Sequence, residues 1–409
     1  MKHTRAELLT VLPPLAAYRR DLALLGVERL SPNDASWMAA AVALSHLARV
    51  DGPDRRAALD ALAALLDAAT VDATPPPFDS PARPSSPLIR QARMLAERME
   101  ASSAWHLALS VLMLADRLLS PDPLDRGRIS AQRARIQWKN GAVDDAESSY
   151  RALLRSARAM KEPELIARAY VGLATVSQVR GNYPAVARWA TRAAKTAHAS
   201  LLAGVGAVAH QLLMVSAGQR GDYADALTHG WTAFEAAVGQ PVREAEMLLN
   251  LAQLLGIVGE HRAALAGFVA ALERDPPPRI ALPAWGGVAT SASQLGDEHI
   301  TRHASRQIGD VAASPGLHYA RASALAEATL ALERLHLDAA AWRRSAVALA
   351  EEHGFNEISY RLAVPLAKDH REGHRMVAEP SHGRLARAST AVITAIDALV
   401  DVESSRVLA

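Results

Sequence analysis

An all-α fold, a solenoid of stacked antiparallel helix hairpins, is what this sequence predicts, and three observations predict it. Six reversal points recur at 37 to 40 residue intervals: Asn140-Gly141-Ala142, Arg180-Gly181-Asn182-Tyr183, Arg220-Gly221-Asp222-Tyr223, Gly259-Glu260-His261, Gly296-Asp297-Glu298 and a degenerate Leu335-His336-Leu337. Half of the 409 residues are hydrophobic but only 4% are aromatic, so the apolar mass is mostly Ala and Leu. These lead the helix formers, whereas strands favour Val, Ile, Tyr and Thr. Pro163, Pro241 and Pro276-Pro277-Pro278 fall between the pairs, where a missing N–H ends one hairpin or opens the next. A fixed period of this size means that each hairpin buries its apolar stripe only against its neighbours. Such an array offers a long surface rather than a central cavity, which points to binding.

Residues 1–73 read as an irregular helical region. Leu8, Leu9, Leu12, Leu15 and Leu22 form an apolar stripe broken at Pro13-Pro14. Asp51-Gly52-Pro53-Asp54 separates two further helices, Trp37–Val50 and Arg56–Ala69. Residues 74–87 are proline-rich and cannot be helical, so they form a linker or strap. Helical pairs then run through residues 88–354, beginning with Leu88–Ala101 and Trp105–Leu119. Residues 355–409 hold a helix through Lys368, a stretch with His and Arg to His382, and a closing helix from Leu385 to Val400. That last helix is expected to cap the apolar face of the final repeat.

Composition narrows the function. Net charge is +2, and of 45 basic residues only five are Lys. No basic block stands apart from acidic neighbours, so direct nucleic-acid binding is not expected. Nor does a basic recognition helix follow a short turn near the start, since Trp37–Val50 is mostly apolar. With no Cys there is no disulfide framework and no thiolate chemistry, which suits a cytoplasmic protein. Glu7, Pro13-Pro14 and Arg19-Arg20 spoil any signal peptide, and Leu201–Val215 is too short and polar to span a membrane.

The hairpins resemble the tetratricopeptide-repeat (TPR) superfamily, in a long-repeat form like that of bacterial regulators and adaptors. The unit around Gly259 carries Leu251-Ala252, Ala264, Phe268, Ala271 and Pro276 at the family's positions. Around Gly181 stand Leu173-Ala174, Tyr183 and Ala193; around Gly221, Tyr223, Ala226 and Ala233; around Gly141, Ala146 and Tyr150. The unit around Gly296 keeps Ala289 but departs with Thr301 and Ser305, and the period exceeds the family's ~34 residues.

The resemblance implies a right-handed superhelix whose first helices line a concave, peptide-binding groove. The lining positions lie three, six, nine, ten and thirteen residues before each turn glycine. They carry Arg128, Gln132, Arg135 and Trp138; Arg168, Thr175 and Gln178; Gln211; Glu246, Asn250 and Gln253; Thr290 and Ser293. Carboxamides both donate and accept, which suits the main chain of an extended peptide, and Asn250 stands where related arrays clamp a ligand backbone. Pro283 and Gly287 occupy positions where chaperone-docking arrays place cations, so co-chaperone activity is not implied. Arg128, Arg135 and Arg168 suggest a small anion pocket at the other end.

His299/His303 and His370/His374 have helical metal spacing but no third ligand, so no metal is expected. Trp189, Trp231 and Trp342 read as packing between repeats, and Trp138 as either packing or ligand contact. No phosphate loop, nucleophile elbow or kinase signature occurs, and no cofactor is implied. The expected function is a non-enzymatic scaffold for a protein or peptide partner. The alternative is an intracellular receptor whose bound peptide or small molecule alters the solenoid and a partner's activity. A homodimer stays open.

Overall fold

The computed structural model describes residues 87–101, 105–118, 122–311, 317–363, 379–400, 402 and 405–408. The expectations for residues 1–73, for the proline-rich segment up to residue 86 and for His370/His374 lie outside the described residues. Those described form sixteen helices and no strand, as an all-α array requires.

They fall into two compact units, divided between Val205 and Gly206. The first holds three hairpins: α1 (Pro87–Ala101) with α2 (Trp105–Leu118), α3 (Pro123–Lys139) with α4 (Val143–Met160), and α5 (Pro163–Val179) with α6 (Tyr183–Ala199). The boundary falls at the start of α7 (Ala203–Gln219), which pairs in sequence with α8 (Tyr223–Glu235). The second unit continues with α9 (Pro241–Ile257), α10 (His261–Leu272), α11 (Pro278–Leu295), α12 (Glu298–Asp310), α13 (His318–Arg334), α14 (Ala340–His353), α15 (Asn356–Ala363) and α16 (Glu379–Asp397).

In the first unit each helix from α1 to α6 packs on the next, and the first helices touch as well, α1 on α3 and α3 on α5. The second unit repeats this from α8 to α15, with α9 on α11, α11 on α13 and α13 on α15.

One backbone device produces the reversals. In all six turns the N–H after the turn residue bonds the carbonyl five residues back, at 2.9 Å: Ala142 to Gln137, Asn182 to Ser177, Asp222 to Ala217, Glu260 to Leu255, Asp297 to Ala292 and Leu337 to Leu332. This is the six-to-one bond of a Schellman turn, which needs a left-handed residue at its centre. Gly259 sits there at φ 89°; in the degenerate unit His336 is forced to φ 57°. Prolines occupy the first turn of α3, α5, α9 and α11, where no partner exists for their missing N–H. Asp122, Asn182 and Asp297 accept from the N–H three residues on, capping α3, α6 and α12.

The closing helix departs from the expected cap over the last hairpin. α16 lies along α8 and α10, sinking Val392 and Ile396 into the second unit's core. Every residue of α10 from Ala263 to Leu272 is consequently buried. A helix apolar all round needs neighbours on all sides, and a hairpin array alone leaves the outer face of a second helix open. The end of the chain follows, with Ser405 donating to Glu273 at 2.7 Å and the Val407 carbonyl 3.0 Å from His303.

The exposed His336 gains nothing from its side chain to offset its left-handed backbone. His336→Gly is expected to stabilise the chain by about 0.5–1 kcal/mol. Urea unfolding checks this; an unchanged or lowered midpoint contradicts it.

Candidate functional site

In the first unit the residues expected to line a groove are engaged by the chain itself. Arg128 is fully buried; its guanidinium donates to Glu164 of α5 at 2.9 and 2.7 Å and to Asp125 at 3.2 Å. Arg168 donates to the same Glu164 at 3.0 Å. Arg135 reaches back to α1, bonding Glu100 at 2.6 Å and Glu97 at 3.2 Å, and Lys139 takes the other oxygen of Glu100 at 2.6 Å. Burial pushes the Glu97 carboxyl above its usual range even with Arg135 beside it. The expected anion pocket is therefore corrected: Arg128 and Arg135 join successive first helices by ion pairs, and Arg168 pairs with Glu164 on its own helix. Gln132 is corrected likewise, buried and donating to the Arg93 carbonyl at 2.9 Å. Trp138, half-buried, bonds the phenol of Tyr150 on α4, which places it in packing between helices. Of this unit's candidates only Gln178, half-exposed near the end of α5, has a side chain with no hydrogen bond or ion pair among the described residues.

The second unit differs. Asn250 on α9 is half-buried and Gln253, one turn further, is exposed; neither side chain is bonded among the described residues. One turn before Asn250, Glu246 is held only loosely, by Gln211 at 3.4 Å and Arg279 at 3.9 Å. Ser293 donates to the Thr290 carbonyl on its own helix, so these hydroxyls are partly spent locally.

Sequence reasoning missed Glu327 of α13. It stands nine residues before His336, the register Asn250 holds before Gly259. Its side chain keeps 27% exposure, with Arg361 at 4.0 Å and Ser323 bonded to the carboxyl. Desolvation nonetheless raises its pKa to about 7, because one distant guanidinium does not replace the water removed. Gly286 on α11 makes the room: a Cβ there would collide with the carboxylate.

The ninth position before the turn also explains which residues stay hidden. Tyr150 and Phe268, each nine residues after a turn glycine, lie on Gly172 and Gly287, each nine before the next. A Cβ at either glycine would enter the ring. That row therefore faces the preceding hairpin. Two further pairs set a small residue before a polar one, Gly230 before Asn250 and Ser305 before Glu327, whereas Ala190 precedes the apolar Leu212. The complementarity is written in the sequence as an aromatic matched to a glycine, a signal visible only when two units are compared.

No protein family matches the sequence. Among curated proteins, too, the comparison gives no match. Solved structures with some likeness include BtubC (BKLC) from P. vanneervenii, at 21% identity and TM-score 0.43, covering 54% of this chain and 94% of that one. Another is the TPR2AB-domain:pHSP90-complex of yeast Sti1, at 11% identity and TM-score 0.24, covering 68% and 99%. With both TM-scores below 0.5, the fold described here stands on the chain's own helices.

Removing one partner from a buried pair strands the other charge. Glu164→Gln is therefore expected to cost about 3 kcal/mol or more, while Arg128→Met combined with Asp125→Asn and Glu164→Leu costs much less. Chemical denaturation measures both; a loss under about 1 kcal/mol for the single variant contradicts the pairing. Glu327 titrates higher folded than unfolded, so its contribution to stability is full below pH 4.5 and is lost as pH rises through about 7. Relative to Glu327→Gln, the wild type should lose up to about 3 kcal/mol between pH 4.5 and 8.5. A pH-independent difference refutes this assignment.

Proposed function

We propose that this chain is a TPR-like protein-interaction scaffold without an enzymatic role, and that its second unit holds an extended peptide along the first-helix faces of α9, α11 and α13. The observation that carries this reading is Asn250. A half-buried carboxamide with no bond to the rest of the chain has lost water on one side and gained nothing in return. An extended peptide supplies a C=O and an N–H to match its donor and acceptor. Gln253 extends the same face by one turn, and the loosely held Glu246 and Glu327 favour basic side chains in the ligand.

The role expected of the first unit is different. Its first-helix ion pairs are spent on stacking, so the peptide site is confined to α9, α11 and α13. No described helix is long and apolar enough to cross a membrane. A cytoplasmic partner protein, and no cofactor, complete the reading. The receptor alternative draws on Glu327: a cationic ligand would relieve its desolvation and draw α11 and α13 together.

Twelve-residue peptides enriched by display on the full chain provide the test, with affinities compared for wild type and Asn250→Ala. Loss of two main-chain bonds should cost about 1–3 kcal/mol, roughly 5- to 150-fold in Kd, at unchanged melting temperature. Less than a twofold change across the enriched peptides rejects the reading.

A further inference from the structure

His210 on α7 and His229 on α8 face each other across one hairpin of the second unit. Their Nδ1 atoms are 3.2 Å apart, with ring centroids at 5.3 Å and planes inclined by 47°. Two chemical situations bring a pair of imidazole nitrogens this close. One is a shared proton, Nδ1–H to Nδ1. The other is a pair of lone pairs converging on one cation.

The spacing is compatible with either. A tetrahedral ion with metal–nitrogen bonds of 2.0–2.1 Å separates two ligand nitrogens by roughly 3.3 Å. Burial, and for His210 also the neighbouring His229, holds both rings below the usual imidazole range. Neutral imidazole is the form that ligates. The two donors sit on helices fixed by the turn at Gly221, so little chain ordering is needed to bring them together.

We propose that His210 and His229 chelate a divalent transition-metal ion of the zinc type through their Nδ1 atoms. Imidazole donors select zinc, copper or nickel over magnesium and calcium, which require oxygen. Among the described residues no group of three or more His, Cys, Asp or Glu converges, so the site is open. Its remaining positions are left to water or to a donor from a partner. Asp225, one turn before His229, is engaged by Arg384 of α16 and does not complete the set. This site lies apart from the peptide face of α9, α11 and α13, and the two proposals fail separately.

Zinc chloride alone, titrated by calorimetry into the chelator-stripped full chain, provides the test. A background variant carrying His299→Gln, His303→Gln, His370→Gln and His374→Gln removes the two sequence-spaced pairs. It should bind zinc as the wild type does. Adding His210→Gln or His229→Gln, each of which keeps a hydrogen-bond partner but removes one imidazole, should weaken binding at least tenfold. Binding that survives within threefold, is abolished in the background alone, or is absent throughout overturns the proposal. On the unmutated chain, ¹⁵N spectra of the histidines should show zinc shifting Nδ1 of two imidazoles; unaltered Nδ1 resonances overturn it whether or not the variants fold.

Discussion

A hairpin of two helices with one apolar stripe has no interior of its own, so its stability depends on presenting that stripe in register to the next hairpin. The uniform reversal meets this constraint: six turns share one 2.9 Å bond and one left-handed residue, so each hairpin closes alike. The register then lets Tyr150 settle on Gly172 and Phe268 on Gly287, where removing a Cβ brings ring and backbone together. Shifting any reversal by one residue would turn these rings away from their glycines.

The same constraint divides the polar residues between those paired within the chain and those left with incomplete partners. Where first helices meet in the first unit, charges are paired across them, Arg128 with Glu164 and Arg135 with Glu100. Buried pairs of this kind add little net stability over apolar substitutes, but they penalise a slipped register by stranding a charge. In the second unit Phe268 keeps its glycine, but Gly230 and Ser305 hold the equivalent places in two other hairpins, and the positions matched to them are Asn250 and Glu327, polar groups left with incomplete partners. α16 fixes the other side of that unit by covering α10, leaving the first-helix side as the open one.

Much of this was legible in the sequence. The period, the turn glycines and the prolines define the hairpins to within a residue or two; α1 and α2 begin and end close to where Leu88–Ala101 and Trp105–Leu119 place them. The site was less legible, for a physical reason. Register marks the face a residue belongs to, but not whether a neighbouring helix supplies a counter-charge. Arg128 and Gln253 lie in the same kind of row, yet Glu164 from the next first helix buries one and nothing covers the other. Glu327 was hidden by the degenerate turn at His336, which obscured its register. The placement of α16 was encoded in α10, whose unbroken apolar run demands a cover on its outer side.

Hydrogen exchange on the full chain, with and without a saturating selected peptide, tests the central claim most directly. The account predicts added protection along α9, α11 and α13, centred on residues 246–253, with α3 and α5 unchanged because their inner faces are already ion-paired. Protection concentrated on α3 and α5, or on the outer side formed by α8 and α16, would contradict it.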